Sequence, residues 1–225
     1  GADLVAKSTP DGYTLVLMDV GNLVISPALF KLPFNVVNDF APVGMVAYSP
    51  HLLAVSTKVP ANTPAELVAY AKAQKGKLNY AVAAGMGSAS HLAGVMYAQR
   101  SGIEWGYVPY KGGGQAMIDV MGGSIPLVYT AVAGAIQHVK AGKLKALAIS
   151  AGKRSELAPE IPTLRDTGIS SLLDVSVDGW TGIFAPTGTS PAVVAYLNQE
   201  INKVIEDADF KRRANAQSLD VYAHV

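Results

Sequence analysis

The sequence predicts an α/β protein with two lobes, and two observations carry that prediction. Short apolar runs alternate with helix-period segments from Tyr13 to Ser150. The rhythm then breaks between Gly152 and Ser176, a stretch punctuated by Pro159, Pro162 and Gly168, before a strand and two helices resume. Helical crossovers between short apolar strands argue for a doubly wound parallel sheet covered on both faces. The broken stretch reads as a connection running between lobes. A chain of 225 residues can hold one large domain or two small ones.

The elements follow in order. Asp11-Gly12 is a turn ahead of a buried strand over Tyr13–Met18, and Pro27 opens a short helix over Ser26–Phe30. Two extended pieces fall within Val43–Val55, around Ser49-Pro50. Thr63 then caps a helix running to about Gln74, with Pro64 at its first position, Glu66 completing a capping box and Gly76 ending it. Strands are expected over Leu78–Ala83, Trp105–Tyr110, Pro126–Thr130 and Leu144–Ser150. Between them come helices over His91–Arg100, Gln115–Met121 and Ala135–Ala141, the last two stopped by Gly122-Gly123 and Gly142. Beyond the break lie a strand over Val177–Ala185, a helix from its Ser190 cap to Ile205, and a short helix over Ala208–Ala216.

Composition excludes several classes of function. Lys and Arg number 18 against 17 Asp and Glu, so there is no basic balance to hold nucleic acid. The one basic run, Lys211-Arg212-Arg213, is flanked by Asp209 in a helical pattern and reads as a solvated face. The absence of cysteine removes disulfides, a thiol nucleophile and thiolate metal sites. No apolar run approaches the roughly 20 residues that span a bilayer. The four histidines, at 51, 91, 138 and 224, share no ligand spacing, so neither a metal nor another cofactor is expected. No pair of carboxylates is placed for acid–base chemistry, and no catalytic residue is assigned.

In an open α/β sheet, ligands bind beyond the carboxyl ends of the strands, where helices begin. Turns at 84–91, 111–115 and 130–134 meet that description. The first, Gly85-Met-Gly-Ser-Ala-Ser-His91, carries two glycines and two hydroxyls into a helix start, a ready place for an oxyanion. Its plainer reading is an ordinary cap, with Ser88 or Ser90 satisfying the first N–H groups. Ser88 with His91 as nucleophile and base is a poor fit at three-residue spacing, and the segment does not match G-x-S-x-G. In the second turn Lys111 either faces an anion or is solvated at a loop tip, and Tyr110 either lines a cleft or packs between strand and helix. Thr130 closes the third strand with a neutral hydroxyl, as a cleft donor or a helix cap. Trp180 is a cleft wall or a core residue.

The chain resembles the extracytoplasmic substrate-binding receptors of tripartite tricarboxylate transporters, the Bug family. The pieces that match run in order along it. They are Pro10-Asp-Gly-Tyr-Thr-Leu15, Asp39-Phe-Ala-Pro-Val43, the 85–94 turn with His91-Leu-Ala-Gly94, Val108-Pro-Tyr-Lys-Gly112, Ala141-Gly-Lys-Leu-Lys-Ala-Leu-Ala148, Lys153-Arg-Ser155, Ile161-Pro-Thr163 and Ala185-Pro-Thr-Gly-Thr189. The resemblance implies a type II periplasmic-binding-protein fold of two α/β lobes joined by a hinge near 52–58 and 174–178. Residues 1–55 and 177–225 would form the first lobe and 56–176 the second. It further implies a non-catalytic, monomeric periplasmic protein that closes on a small organic acid and delivers it to the transporter's membrane subunits.

In the family two loops hold the carboxylate. The second corresponds to Ala84–His91, so Gly85, Gly87, Ser88, Ser90 and His91 are expected to bind ligand, with Thr130, Trp180, Tyr110 and Lys111 around them. The first loop and a C-terminal helix have no counterpart, which implies a chain truncated at both termini. Thr130-Ala131, Val95 and Tyr107 stand where many relatives carry Asp-Asn, Glu and His. That exchange implies a mono- or dicarboxylate with an apolar or aromatic body rather than an amino acid. The alternatives are a ligand-sensing module of a regulatory system with the same fold and, third, an enzyme acting on a carboxylate through Ser88.

Overall fold

A computed structural model of the chain describes residues 1–155, 158–173, 175, 178–216 and 220–221. Its elements, in chain order, are α1 (Ala2–Ala6), β1 (Val16–Asp19), a π-type turn over Gly21–Ile25 leading into α2 (Ser26–Leu29), β2 (Phe40–Ser56) and α3 (Pro64–Ala73). There follow β3 (Asn79–Val82), α4 (Ala89–Ser101), β4 (Gly106–Pro109), α5 (Gly113–Gly122), β5 (Leu127–Ala131), α6 (Val132–Lys140) and β6 (Leu144–Ser150). The chain closes with β7 (Asp178–Pro186), α7 (Pro191–Glu206), α8 (Ala208–Ala216) and β8 (Asp220–Val221). It divides into two compact units, Gly1–Tyr48 with Gly179–Val225, and Ser49–Asp178.

In the first unit β1 runs antiparallel to β7, which neighbours β2, and Ala47 and Tyr48 of β2 pair with β8. Val5, Met18 and Phe40 form its buried centre, with Val16, Leu23, Phe34 and Phe184 packed around them. Tyr13 lies outside the strand expected over Tyr13–Met18. Only Val16 onward finds a ladder partner, and the Tyr13 ring is almost wholly exposed.

The second unit is built on the strand order β6-β2-β5-β3-β4. β3 is parallel to both β4 and β5, while β2 runs antiparallel to β5 and β6. The sheet is therefore mixed, where an all-parallel one was expected. The helical crossovers do give parallel strands; β2 is inserted between β5 and β6 against their direction, which no crossover pattern reveals. Alternate side chains of each strand face opposite layers. Leu53, Val55, Tyr80, Val82 and Tyr129 pack under α3 and α4, through Leu67, Ala71, Ala93 and Tyr97. Leu52, Ala54, Ala81 and Val128 pack under α5 and α6, through Ala116, Met117, Val120, Ala135 and Ile136.

The two extended pieces within Val43–Val55 form one 17-residue strand. Pro50 does not break it, because it stands between Tyr48, the last residue pairing with β8, and His51, the first pairing with β5 and β6. Leu52–Val55 are fully buried, paired on both sides and fall within the second unit. The chain instead passes between units at Tyr48/Ser49 and Asp178/Gly179. Of the other expected hinge segment, Asp174, Ser176 and Val177 lie outside the described residues.

The stretch after Gly152 is more than a connection. Ile149 N–H donates to Pro162 O at 2.8 Å, Leu164 N–H to Ile149 O at 2.9 Å, and Ala158, Ile161, Leu164 and Leu172 are buried. Its prolines and turns obscure that packing because they erase helix and strand periodicity without removing the apolar residues.

Candidate functional site at the carboxyl ends of three parallel strands

β3, β4 and β5 run the same way in register, Tyr80 beside Tyr107 and Leu127, and α4, α5 and α6 all begin at their carboxyl ends. The winding reverses at β3: the chain leaves it through α4 to β4 on one side, then returns through α5 to β5 on the other. The gap between the ends of β3 and β5 is the topological switch point where such sheets bind ligands.

The turn after β3 needs its glycines. Gly85 and Gly87 have φ of +80° and +84°, in the left-handed region that other residues avoid, and Ser88 N–H closes the turn onto Gly85 O at 3.3 Å. Ser88 is the N-cap of α4; its hydroxyl accepts from His91 N–H at 3.2 Å. The hydroxyl proton is not needed for that bond and remains available to a ligand. The N–H groups of Met86, Ala89 and Ser90 have no acceptor among the described residues, so the turn presents three backbone donors at the positive end of a 13-residue helix.

Ser90 departs from expectation. Its side chain is buried, its hydroxyl donates to Tyr129 O at 2.6 Å, and it accepts from Ala83 N–H at 3.2 Å. The Tyr80 hydroxyl lies 3.2 Å away and donates to the Ser90 carbonyl. Ser90 contributes its backbone N–H to the turn, while its hydroxyl ties β3, β5 and α4 together.

His91 lies across the turn. Its Nδ1 accepts from Gly87 N–H at 3.2 Å, and Tyr107 packs edge-on against its ring, centroids 5.2 Å apart. Burial lowers the imidazole pKa below its usual 6.5, so the ring is neutral at pH 7. Ser88 meets the His91 backbone N–H rather than its ring.

Thr130, second to last in β5, is 6% exposed, and its hydroxyl has no hydrogen-bond partner among the described residues. A methyl built on Gly113 would stand 3.5 Å from that oxygen, and one on Gly134 4.0 Å, so the hydroxyl sits beside the first turns of α5 and α6. Neither helix has a side-chain cap. Uncapped N-termini of two helices flank the unengaged hydroxyl of a largely buried residue, at two of the turns the sequence marks, 111–115 and 130–134.

Tyr110 takes the packing role. Its hydroxyl donates to Asp119 on α5 at 2.6 Å, and burial, then the Asp119 contact, pushes its pKa up to about 12. Lys111 is exposed at the loop tip. Trp180 belongs to the first unit, where it lines an apolar cavity of about 870 Å³ with Met45, Phe184 and Val194. Among the described residues no cluster of His, Asp or Glu could hold a metal ion.

The sequence pattern described as the tripartite tricarboxylate transporter family receptor matches residues 1–225. The chain belongs to that receptor family. Protein BugT of Bordetella pertussis is 33% identical to the receptor over 208 residues, covering 92% of this chain and 63% of BugT. The chain thus spans less than two thirds of that relative's length. Among solved structures, periplasmic binding protein BugD is 32% identical with a TM-score of 0.83, covering 99% of the receptor and 73% of BugD. MatC from Rhodopseudomonas palustris, solved with bound malate, is 30% identical with a TM-score of 0.82, covering 98% and 74% of the two chains. A second R. palustris protein, solved with adipate, is 26% identical with a TM-score of 0.83, covering 98% and 73%. These matches give the chain the type II periplasmic-binding-protein fold.

Proposed function

We propose that this receptor captures a small organic carboxylate in the periplasm and delivers it to the membrane subunits of a tripartite tricarboxylate transporter. The observation that carries the reading is the set of unengaged donors where β3 and β5 end. They are the N–H groups of Met86, Ala89 and Ser90, with the Thr130 hydroxyl beside two uncapped helix starts. Such donors suit an anion whose oxygens can each accept two or more bonds. Family membership and the malate and adipate held by two structural neighbours support an organic acid as that anion. Among the described residues no helix is long and apolar enough to cross a membrane.

In this reading Ser88 donates to the carboxylate and Thr130 to its second polar group. Thr130 is uncharged, so nothing at that position pairs with the ammonium of an amino acid. The ligand is therefore a mono- or dicarboxylate lacking an amine. The test is a thermal-shift screen of the chain against monocarboxylates, dicarboxylates and amino acids. Ligands that bind the folded state raise its melting temperature. Dicarboxylates such as malate and adipate should do so and their amino analogues should not. A screen in which no acid shifts the transition, or in which only amino acids do, overturns the reading.

A further inference from the structure

Two helices of the second unit open with the same hydrogen-bond pattern but close it with chemically different side chains. In α3 the Thr63 hydroxyl accepts from Glu66 N–H at 3.1 Å, and the Glu66 carboxylate reaches back to accept from Asn62 N–H at 2.6 Å. In α4 the Ser88 hydroxyl accepts from His91 N–H at 3.2 Å, and the His91 ring reaches back to accept from Gly87 N–H at 3.2 Å. Both are capping boxes displaced by one residue, the third helical side chain holding the residue ahead of the cap. Glutamate or glutamine ordinarily fills that place, and a carboxylate there also meets the helix dipole favourably.

The two helix starts have different work. α3 follows β2, which runs antiparallel to β5, so it starts at the opposite end of the sheet from the α4 turn, and its box is closed by a carboxylate. At α4 a carboxylate on residue 91 would stand at the turn whose free N–H groups face the ligand, and it would repel an anion there. An imidazole gives the same brace without a charge. Burial keeps the ring neutral at pH 7, and Tyr107, whose ring packs edge-on against it, has its own pKa raised by burial and stays protonated.

We propose that His91 is a positioning and specificity-determining residue. It closes the capping box of α4 with an uncharged acceptor, so that Gly87 is held in place while the helix N-terminus stays reserved for a carboxylate. The proposal rests on the carboxylate reading above and concerns how this turn prefers an anion over other ligands.

Isosteric variants separate the brace from the charge. Gln at 91 has the reach that Glu66 shows in α3 and is neutral; Glu has the same reach and is charged; Leu has neither acceptor nor charge. Calorimetry with malate and adipate at pH 7.5 should find His91→Gln within about threefold of wild type. His91→Glu should bind at least about thirtyfold more weakly, and His91→Leu about tenfold more weakly. Ligand-free melting provides the readout that a merely structural role would not produce. His91→Glu should melt at or above His91→Gln, because its charge complements the dipole, while binding far worse.

Equal affinity of the Glu and Gln variants overturns the proposal and leaves the carboxylate reading standing. So does wild-type affinity in His91→Leu, which would show that the brace is not needed. A wild-type chain that binds neither acid overturns the carboxylate reading and this proposal with it.

Discussion

Replacing Ser90 by alanine would strand the buried Ala83 N–H and take the donor from Tyr129 O, since one hydroxyl serves both. An unsatisfied buried group costs about 1–3 kcal/mol, so Ser90→Ala should lower the urea midpoint of unfolding by that equivalent. Ser88→Ala should behave differently, because its oxygen caps α4 at a partly exposed place. Losing a cap costs about 1 kcal/mol of stability, and losing a hydrogen bond to a charged acceptor weakens carboxylate binding by a further 1–3 kcal/mol or so. Calorimetry beside denaturation separates the two, and unchanged affinity in Ser88→Ala would remove that hydroxyl from the site. Both serines are legible in the sequence, but their different roles are not. A G-S-A-S run shows that hydroxyls are present, but whether one is buried depends on where Tyr129, thirty-nine residues on from Ser90, comes to lie.

His91 adds a pH dependence at the same scale. Its folded pKa lies below the 6.5 of the unfolded chain because burial disfavours the charged ring. Between those two values the unfolded chain binds more protons, so stability falls as pH falls through that window. The contribution is fully present above about pH 6.5. Urea midpoints measured from pH 7.5 down to pH 5.5 should fall more steeply in wild type than in His91→Gln. Parallel curves would show that the ring has no such linkage.

At the scale of elements, the packing of α4 on β3 hangs on Gly94. A Cβ added there would come within 2.6 Å of Tyr80 Cζ and 2.7 Å of its Cε1. The ring cannot swing aside: it stacks on Trp105 with centroids 5.3 Å apart, and its hydroxyl is bonded to Ser90. Forcing atoms into a packed core typically costs about 1–3 kcal/mol. Gly94→Ala should therefore destabilise by about that amount, despite alanine's better helix propensity. An urea midpoint at or above wild type would mean that the helix can lift off the strand. Helix and strand positions were largely legible because caps, prolines and terminal glycines mark them locally, as Thr63-Pro64 and Gly123 do. The length of β2 was not, because Pro50 is a breaker only where its missing N–H is needed. The reach of His91 back to Gly87 was hidden as well, since the sequence offers it as a ligand contact and the fold uses it as a brace.

At the scale of the whole molecule, the alternation of strands and helices revealed two α/β units but not the direction of β2. That strand enters the second sheet from the first unit, and nothing local to it distinguishes parallel from antiparallel insertion. The two units offer two different concavities, the polar turn at α4 and the apolar cavity at Trp180, and the chain contains one tryptophan in each unit, Trp105 and Trp180. Trp180→Phe leaves Trp105, buried between Tyr80 and Tyr97, as the sole indole reporter of the second unit. Trp105→Phe leaves Trp180 to report on the first. A carboxylate held at the α4 turn, present at about a hundred times its dissociation constant, stabilises the unit that binds it by about 2.7 kcal/mol. Unfolding followed through Trp105 should shift by that amount when malate or adipate is added. A ligand shift seen through Trp180 alone would move the site to the apolar cavity and leave the α4 turn as an ordinary helix cap.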